Sequence, residues 1–240
     1  GHRRPVTESG EVRHTRLLLA LASVAVAFAA ADTYVVVLAL PDMMTSVGVP
    51  IDRLQLAAPI VSGFLLGYVA MLPLIGRIAD LRGRVPVLVM ALLLFAVGSL
   101  VTTLAYDMPS MVGGRFLQGI GGGGLVPATL ALVADLYPAE RRGVPLGIVS
   151  AVQELGSVIG PLFGALVLAV ADWRAIFAIN LAVGLILAAA IRRVGLEGGS
   201  SPNAPFVRRV PDVALLALTL VSGSVAMIQP PVLMRDLTWG

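Results

Sequence analysis

The chain has no cysteine and no lysine, and only 13% of its 240 residues are charged. Without cysteine there is no disulfide framework and no thiolate metal site. The scarcity of charge is more informative, because a soluble domain carries roughly 25% charged residues, so most of this protein meets something other than water. Aromatic residues are also few, at 5%. A net charge of +3 therefore comes without the aromatic-rich basic face of a nucleic-acid binder, and no nucleic-acid partner is expected.

What the chain has instead is apolar: 58% of residues are hydrophobic and the mean hydropathy is +0.93. The 26 glycines and 16 prolines lie largely inside apolar stretches, which excludes a low-complexity linker. A helix needs about 20 mostly apolar residues to cross a hydrocarbon core of roughly 30 Å. Segments of that kind fall at 17–40, 57–76, 85–105, 111–135, 144–170, 175–192 and 211–233. They predict an all-α, multi-pass membrane protein with a polar tail over 1–16, six spans over 17–195, a linker over 196–210 and a seventh span within 211–240.

Every basic side chain outside the two histidines is arginine, and the arginines alternate along the chain. Arg3, Arg4, Arg13, Arg16, Arg77, Arg82, Arg84, Arg141, Arg142, Arg192, Arg193, Arg208 and Arg209 fall on one set of connections. Arg53, Arg174 and Arg235 fall on the other. By the positive-inside rule the first set, and with it the N-terminus, is cytoplasmic. His2 and His14 belong to the polar tail.

A charge at the centre of an isolated span costs roughly 2.5–3.5 kcal/mol on insertion scales, so each charge within a span needs a partner, a cavity or a task. Asp32, Arg115 and Glu154 are the three in question. Asp32 lies about 15 residues into span 1, roughly 22 Å from its cytoplasmic end, and Arg115 enters span 4 from the opposite side, so the two can pair. Such a pair serves either assembly of the bundle or coupling to protons and substrate. Desolvation favours the neutral form of a carboxyl group, which is what proton coupling requires. Glu154 lies near the middle of span 5 with no cation on its own helix. Gly156, Gly160 and Gly164 form a stripe there that a neighbouring helix can approach closely, and Glu154 lies about 120° away from it, toward a cavity or gate.

Between spans 2 and 3 the order Gly76, Arg77, Asp80, Arg82, Gly83, Arg84 predicts a tight turn in which Asp80 accepts hydrogen bonds from arginine side chains or from a helix N-terminus. Span 4 carries a run of four glycines at 121–124 after Arg115, Gln118 and Gly119, and span 2 has Gly63 and Gly67 at helix-packing spacing. The glycine run is no phosphate loop, since no Lys-Ser/Thr pair follows it. No nucleophile with its base, no metal-ligand cluster and no catalytic carboxylate pair can be assembled from the short connections, so no enzyme, metal or cofactor is expected.

These motifs, in this order, resemble the major facilitator superfamily. Gly76 to Arg84 is similar to its signature turn, with Gly76, Asp80, Gly83 and Arg84 at the matching positions. Arg115, Gln118 and Gly119 resemble its fourth-helix motif. Gly156, Gly160, Pro161 and Gly164 resemble the fifth-helix motif of its antiporters, and Asp32-Thr33 through Ala39-Leu40-Pro41 resembles the first-helix motif of drug:proton antiporters with 14 spans. Asp172-Trp173-Arg174 and Phe177 to Asn180 look like the start of the sixth helix in that group. Tyr34 and Val37 depart from it, standing where a Thr and an Asn are usual. Within the family, the segments around Asp32 and Glu154 resemble mycobacterial exporters implicated in drug efflux and in moving triacylglycerides with a periplasmic lipoprotein.

The resemblance implies an N-terminal half of two inverted three-helix repeats, followed by a first linker helix, with a C-terminal half completing the transporter. It also implies export driven by a proton gradient through Asp32, Glu154 and Arg115, with no bound cofactor. Asp80 and Arg84 would lock the cytoplasmic side, and the glycine stripe would pack against the other half and resist leakage. The substrate would be a lipid or another lipophilic small molecule, and membrane lipids would surround the protein in the bacterial plasma membrane. Two other readings remain open on the residues alone: an importer of polar solutes in the same family, and a lipid-binding membrane scaffold that transports nothing.

Overall fold

Six of the expected apolar segments form helices long and apolar enough to cross a membrane. They are seen in a computed structural model that describes residues 6–197, with side chains from residue 10 onward. The helices are α1 (Val6–Ser46), α2 (Ala58–Arg82), α3 (Arg84–Thr103), α4 (Met108–Leu136), α5 (Gly143–Val170) and α6 (Arg174–Glu197), and no strand occurs among the described residues. The expected seventh span at 211–233 lies outside the described residues. So does the expected linker, except Leu196 and Glu197, which belong to α6.

Two boundaries differ from the sequence expectation. Residues 6–16, expected as a polar tail, are the first turns of α1. No proline follows Pro5 until Pro41, so nothing in this stretch stops the helix. At 41 residues α1 is about 62 Å long and outruns its apolar segment at both ends.

The second difference lies at the expected turn after span 2. Gly76 is inside α2, and the chain reverses at Gly83 alone, where φ is +87° and ψ 161°. Only glycine occupies that region without strain. A Gly83→Val substitution is therefore expected to destabilise the turn by about 1–3 kcal/mol. Thermal melting of the purified protein would register it, whereas Gly76→Ala, with open space around the added methyl, should leave the melting temperature unchanged or slightly raised.

Local signals fix the other ends. Asp107 caps α4 in a reciprocal box with Ser110, whose hydroxyl and backbone N–H hold the Asp107 carboxyl below its ordinary value. Pro59 and Pro109 occupy first turns, where a missing N–H is harmless.

The centre of the bundle is α4. Gly119 and Gly123 bring it against the backbone of α2 at Phe64 and Tyr68, while Gly114 and Gly121 bring it against α3 at Thr102 and Phe95. The glycine run thus serves two neighbours at once, because positions four apart share a face and intermediate ones face elsewhere. Two large apolar clusters result, beside a small third one of Leu19, Val133 and Val149. One gathers Leu18, Ile75, Leu88, Leu132 and Ile191, and the other gathers Met43, Ile60, Met111, Trp173 and Phe177. On α1 Asp32 falls between Ala29 of the first cluster and Val35 of the second, so the buried charges lie where the clusters meet.

Candidate functional site

Arg115 is completely buried, and Asp32 is 2% exposed. The Arg115 Nη1 donates to Asp32 Oδ2 at 2.7 Å and to Gln118 Oε1 at 2.9 Å, while its Nε donates to the Ile60 carbonyl at 3.4 Å. The guanidinium lies over the Phe64 ring, 4.5 Å from its centroid, with Phe177 at 5.7 Å. Asp32 is held from a second side by Asn180, whose Nδ2 donates to Oδ1 at 2.6 Å. Gln118 in turn donates to the Ser99 hydroxyl at 2.9 Å, and that hydroxyl donates to the Phe95 carbonyl.

This network ties α1, α2, α3, α4 and α6 together around one compensated charge pair. Two ions out of water are stable only when their geometry is good and their other bonding positions are filled. Here both carboxylate oxygens are engaged and the guanidinium is engaged through Nε and Nη1. Its Nη2 has no hydrogen-bond partner among the described residues.

Beside the network lies a cavity of about 240 Å³ where α1, α5 and α6 come together. Its walls are apolar side chains such as Phe28, Val35, Ile159 and Phe163, and Asp32 and Asn180 are its polar members. Gly156 and Gly160 line it as well. The glycine stripe, expected against another half of the protein, packs on α1 of this one: a Cβ on Gly160 would stand 2.7 Å from the Ala31 carbonyl, and one on Gly156 would meet Ala27. Small residues on α1 at these heights (Ala27, Ala31) are what admit the contact. Pro161 lies within α5 beside this stripe, and Gly164 meets Val35.

Glu154 stands apart. It is on the exposed side of α5, is not among the cavity walls, and forms no ion pair among the described residues. Of the three intramembrane charges, the structure brings Asp32 and Arg115 together and leaves Glu154 facing outward.

At one end of the bundle Arg84 bridges Asp80 at 2.8 Å and Asp135 at 3.0 Å, joining the ends of α2, α3 and α4. Arg142 donates to the carbonyls of Tyr137 and Ala134, closing the end of α4. At the other end Arg174 stacks on Trp173 and donates to the Ala105 carbonyl. No cluster of three His, Asp or Glu able to hold a metal occurs among the described residues.

Asp32, Arg115, Asp80 and Arg84 stand out in the sequence, whereas the bonding roles of Asn180, Ser99 and Asp135 emerge only in the fold. Asn180 carried a usable signal, since a carboxamide inside an apolar run must find a partner. Asp135 carried a weaker one, a carboxylate at the same end of the bundle as Arg84.

Comparison with known proteins places these features. The family model described as Major Facilitator Superfamily matches residues 22–236. A protein of Mycobacteroides abscessus named triacylglyceride transporter is 43% identical over 210 residues, covering 87% of this chain and 41% of the relative. One of Mycolicibacterium smegmatis with a similar name is 45% identical over 171 residues, 71% of this chain and 30% of the relative. One of Mycobacterium tuberculosis, also named triacylglyceride transporter, is 46% identical over 169 residues, 69% and 33% respectively. The chain thus spans well under half the length of these relatives.

Proposed function

The chain belongs to the major facilitator superfamily, and from that premise we propose that it supplies a six-helix half of a proton-driven exporter of lipophilic molecules. The cargo is a neutral lipid of the triacylglyceride kind, or a drug of similar polarity, moved outward across the bacterial plasma membrane with the N-terminus in the cytoplasm. The observation that carries the reading is a buried carboxylate, Asp32, set between a cation and an amide in the wall of an apolar cavity.

The chemistry follows from the charges. With Asp32 ionised the pair with Arg115 is neutral, and the helices that bear it are held together. A proton on Asp32 leaves the Arg115 charge uncompensated in a low-dielectric interior, an arrangement that favours separation of the helices or entry of water. Protonation and deprotonation of one carboxyl group would thereby bias the two states of an alternating-access cycle. Each proton crossing 100 mV supplies about 2.3 kcal/mol, enough for modest uphill export. The Asp80, Arg84 and Asp135 cluster would hold the cytoplasmic ends of α2, α3 and α4 in one of those states, and Glu154 would serve as a second protonation site. In this scheme a second half completes the cavity, within a 14-span arrangement. A periplasmic lipoprotein receives the lipid.

An importer of polar solutes needs several hydrogen-bonding groups toward its substrate, whereas this cavity has Asp32 and Asn180 against apolar walls. That favours the lipid. The test is transport of a fluorescent triacylglyceride by the full-length protein in proteoliposomes. Imposing a proton gradient should accelerate export about tenfold, and Asp32→Asn should remove that acceleration while expression stays normal. Export indifferent to the gradient in the unmodified protein would overturn proton coupling.

A further inference from the structure

The hydrogen bonds within the cavity wall leave a specific remainder. Asp32 accepts one bond on each carboxylate oxygen, and each oxygen retains a further lone pair. Asn180 turns its amide nitrogen to Asp32, so its carboxamide oxygen is directed away from the carboxylate, and nothing among the described residues donates to it. Acceptors at the polar end of the cavity therefore outnumber the one remaining N–H of Asn180. The pair of Asp32 and Arg115 is neutral overall, and Arg115 is not among the cavity walls. The site thus lacks the surplus charge that would select an ion of either sign.

Shape narrows the occupant further. A cavity of about 240 Å³ is below the roughly 300–1,000 Å³ that encloses a drug-sized molecule. It suits a head group and part of one chain. Both α5 and α6 pack on α1 but scarcely on each other, and Val24, Leu155 and Ile159 stand exposed at the cavity's edge. An apolar opening of this kind admits a lipid chain, whether bilayer or the second half of the protein borders it.

We propose that this crevice is a docking site for a neutral lipid bearing a free hydroxyl, a diacylglycerol-like molecule, with the hydroxyl donating to Asp32 or to Asn180 Oδ1 and one acyl chain lying against Phe28, Ile159 and Phe163. A triester offers only acceptors, so a triacylglyceride cargo would pass this point without a polar anchor, whereas a lipid with a free hydroxyl is held there. A diacylglycerol supplies the donor, and its ester carbonyl can take the spare N–H of Asn180. The choice of ligand rests on the reading of the protein as one that handles neutral lipids.

The test uses full-length protein in nanodiscs and a diacylglycerol carrying a diazirine in one acyl chain, with labelled residues mapped by mass spectrometry after irradiation. Labels are expected on Phe28, Ile159 or Phe163. Dioleoylglycerol should compete about tenfold better than trioleoylglycerol, a difference of about 1.4 kcal/mol. Ile159→Trp and, independently, Leu155→Trp narrow the mouth and should each lower labelling about tenfold without moving the melting temperature. Equal competition by the two lipids, labels confined to other helices, or labelling unchanged in both variants that remain folded would overturn the proposal. Labelling reports the crevice alone. If the export assay fails while crevice labelling stands, the transport reading falls and the docking site remains; export with no crevice labelling has the opposite meaning.

Discussion

Replacing Arg115 with leucine is expected to destabilise the protein by about 3–5 kcal/mol. The substitution leaves the Asp32 carboxylate buried with Asn180 as its remaining donor. It also orphans the Gln118 carboxamide oxygen, frees the Ile60 carbonyl and removes the cation over Phe64. A neutral interhelical hydrogen bond in a membrane protein averages only about 0.6 kcal/mol, so Ser99→Ala, which removes one acceptor from Gln118, should have a several-fold smaller effect. Denaturation of the purified protein in detergent would separate the two; equal losses would mean that the network carries no more than its individual bonds.

The same pair can be taken apart from the other side. Asp32→Asn keeps the shape and a carbonyl oxygen for Arg115, and Asn180 can rotate its carboxamide to accept the new N–H. The fold should survive this change better than Arg115→Leu, which makes it the proper variant for testing proton coupling. In a double-mutant cycle with Asp32→Asn and Arg115→Gln, the double variant should be less destabilised than the sum of the singles, because each single leaves an unpaired buried ion and the double leaves none. Additive losses would show that the two side chains act independently despite their 2.7 Å contact.

How much of this was legible in the sequence depends on whether a signal is local or arises from packing. The positions of α2 to α6 were readable because roughly 20 apolar residues between polar connections admit one structure in a membrane. The extension of α1 to Val6 was not, because polar residues before a span look the same whether helical or extended. The Asp32–Arg115 pair was legible as two charges that the bilayer makes expensive. Its third member, Asn180, is 148 residues from Asp32 along the chain, and no spacing rule connects them. The glycines show the same limit. A stripe at 156, 160 and 164 announces a close neighbour, but whether that neighbour is α1 or another half of the protein depends on which face of α5 turns inward, and only the assembled bundle decides that.

A methyl group added to Gly119 is expected to do more damage than its size suggests, destabilising by up to about 3 kcal/mol. The new Cβ would meet the backbone carbonyl of Phe64, with the Phe64 carbonyl carbon at 2.8 Å and its Cα at 3.0 Å. Backbone cannot swing aside as a flexible side chain can, so α2 and α4 must separate. Gly119 lies one helical turn from Arg115, and Phe64 one turn from Ile60. The displaced segment is thus the one that supplies Arg115 with a carbonyl acceptor and an aromatic face. Packing and site are coupled at this point, and Gly119→Ala should lower transport as well as stability. Gly113 provides the internal control: it lies on the same helix, nothing stands within 4 Å of an added Cβ, and alanine there gains helix propensity of up to about 1 kcal/mol. Melting temperatures measured side by side should fall for Gly119→Ala and hold or rise for Gly113→Ala. If both variants melted together, the close approach of α2 to α4 would not be what holds Arg115 in place.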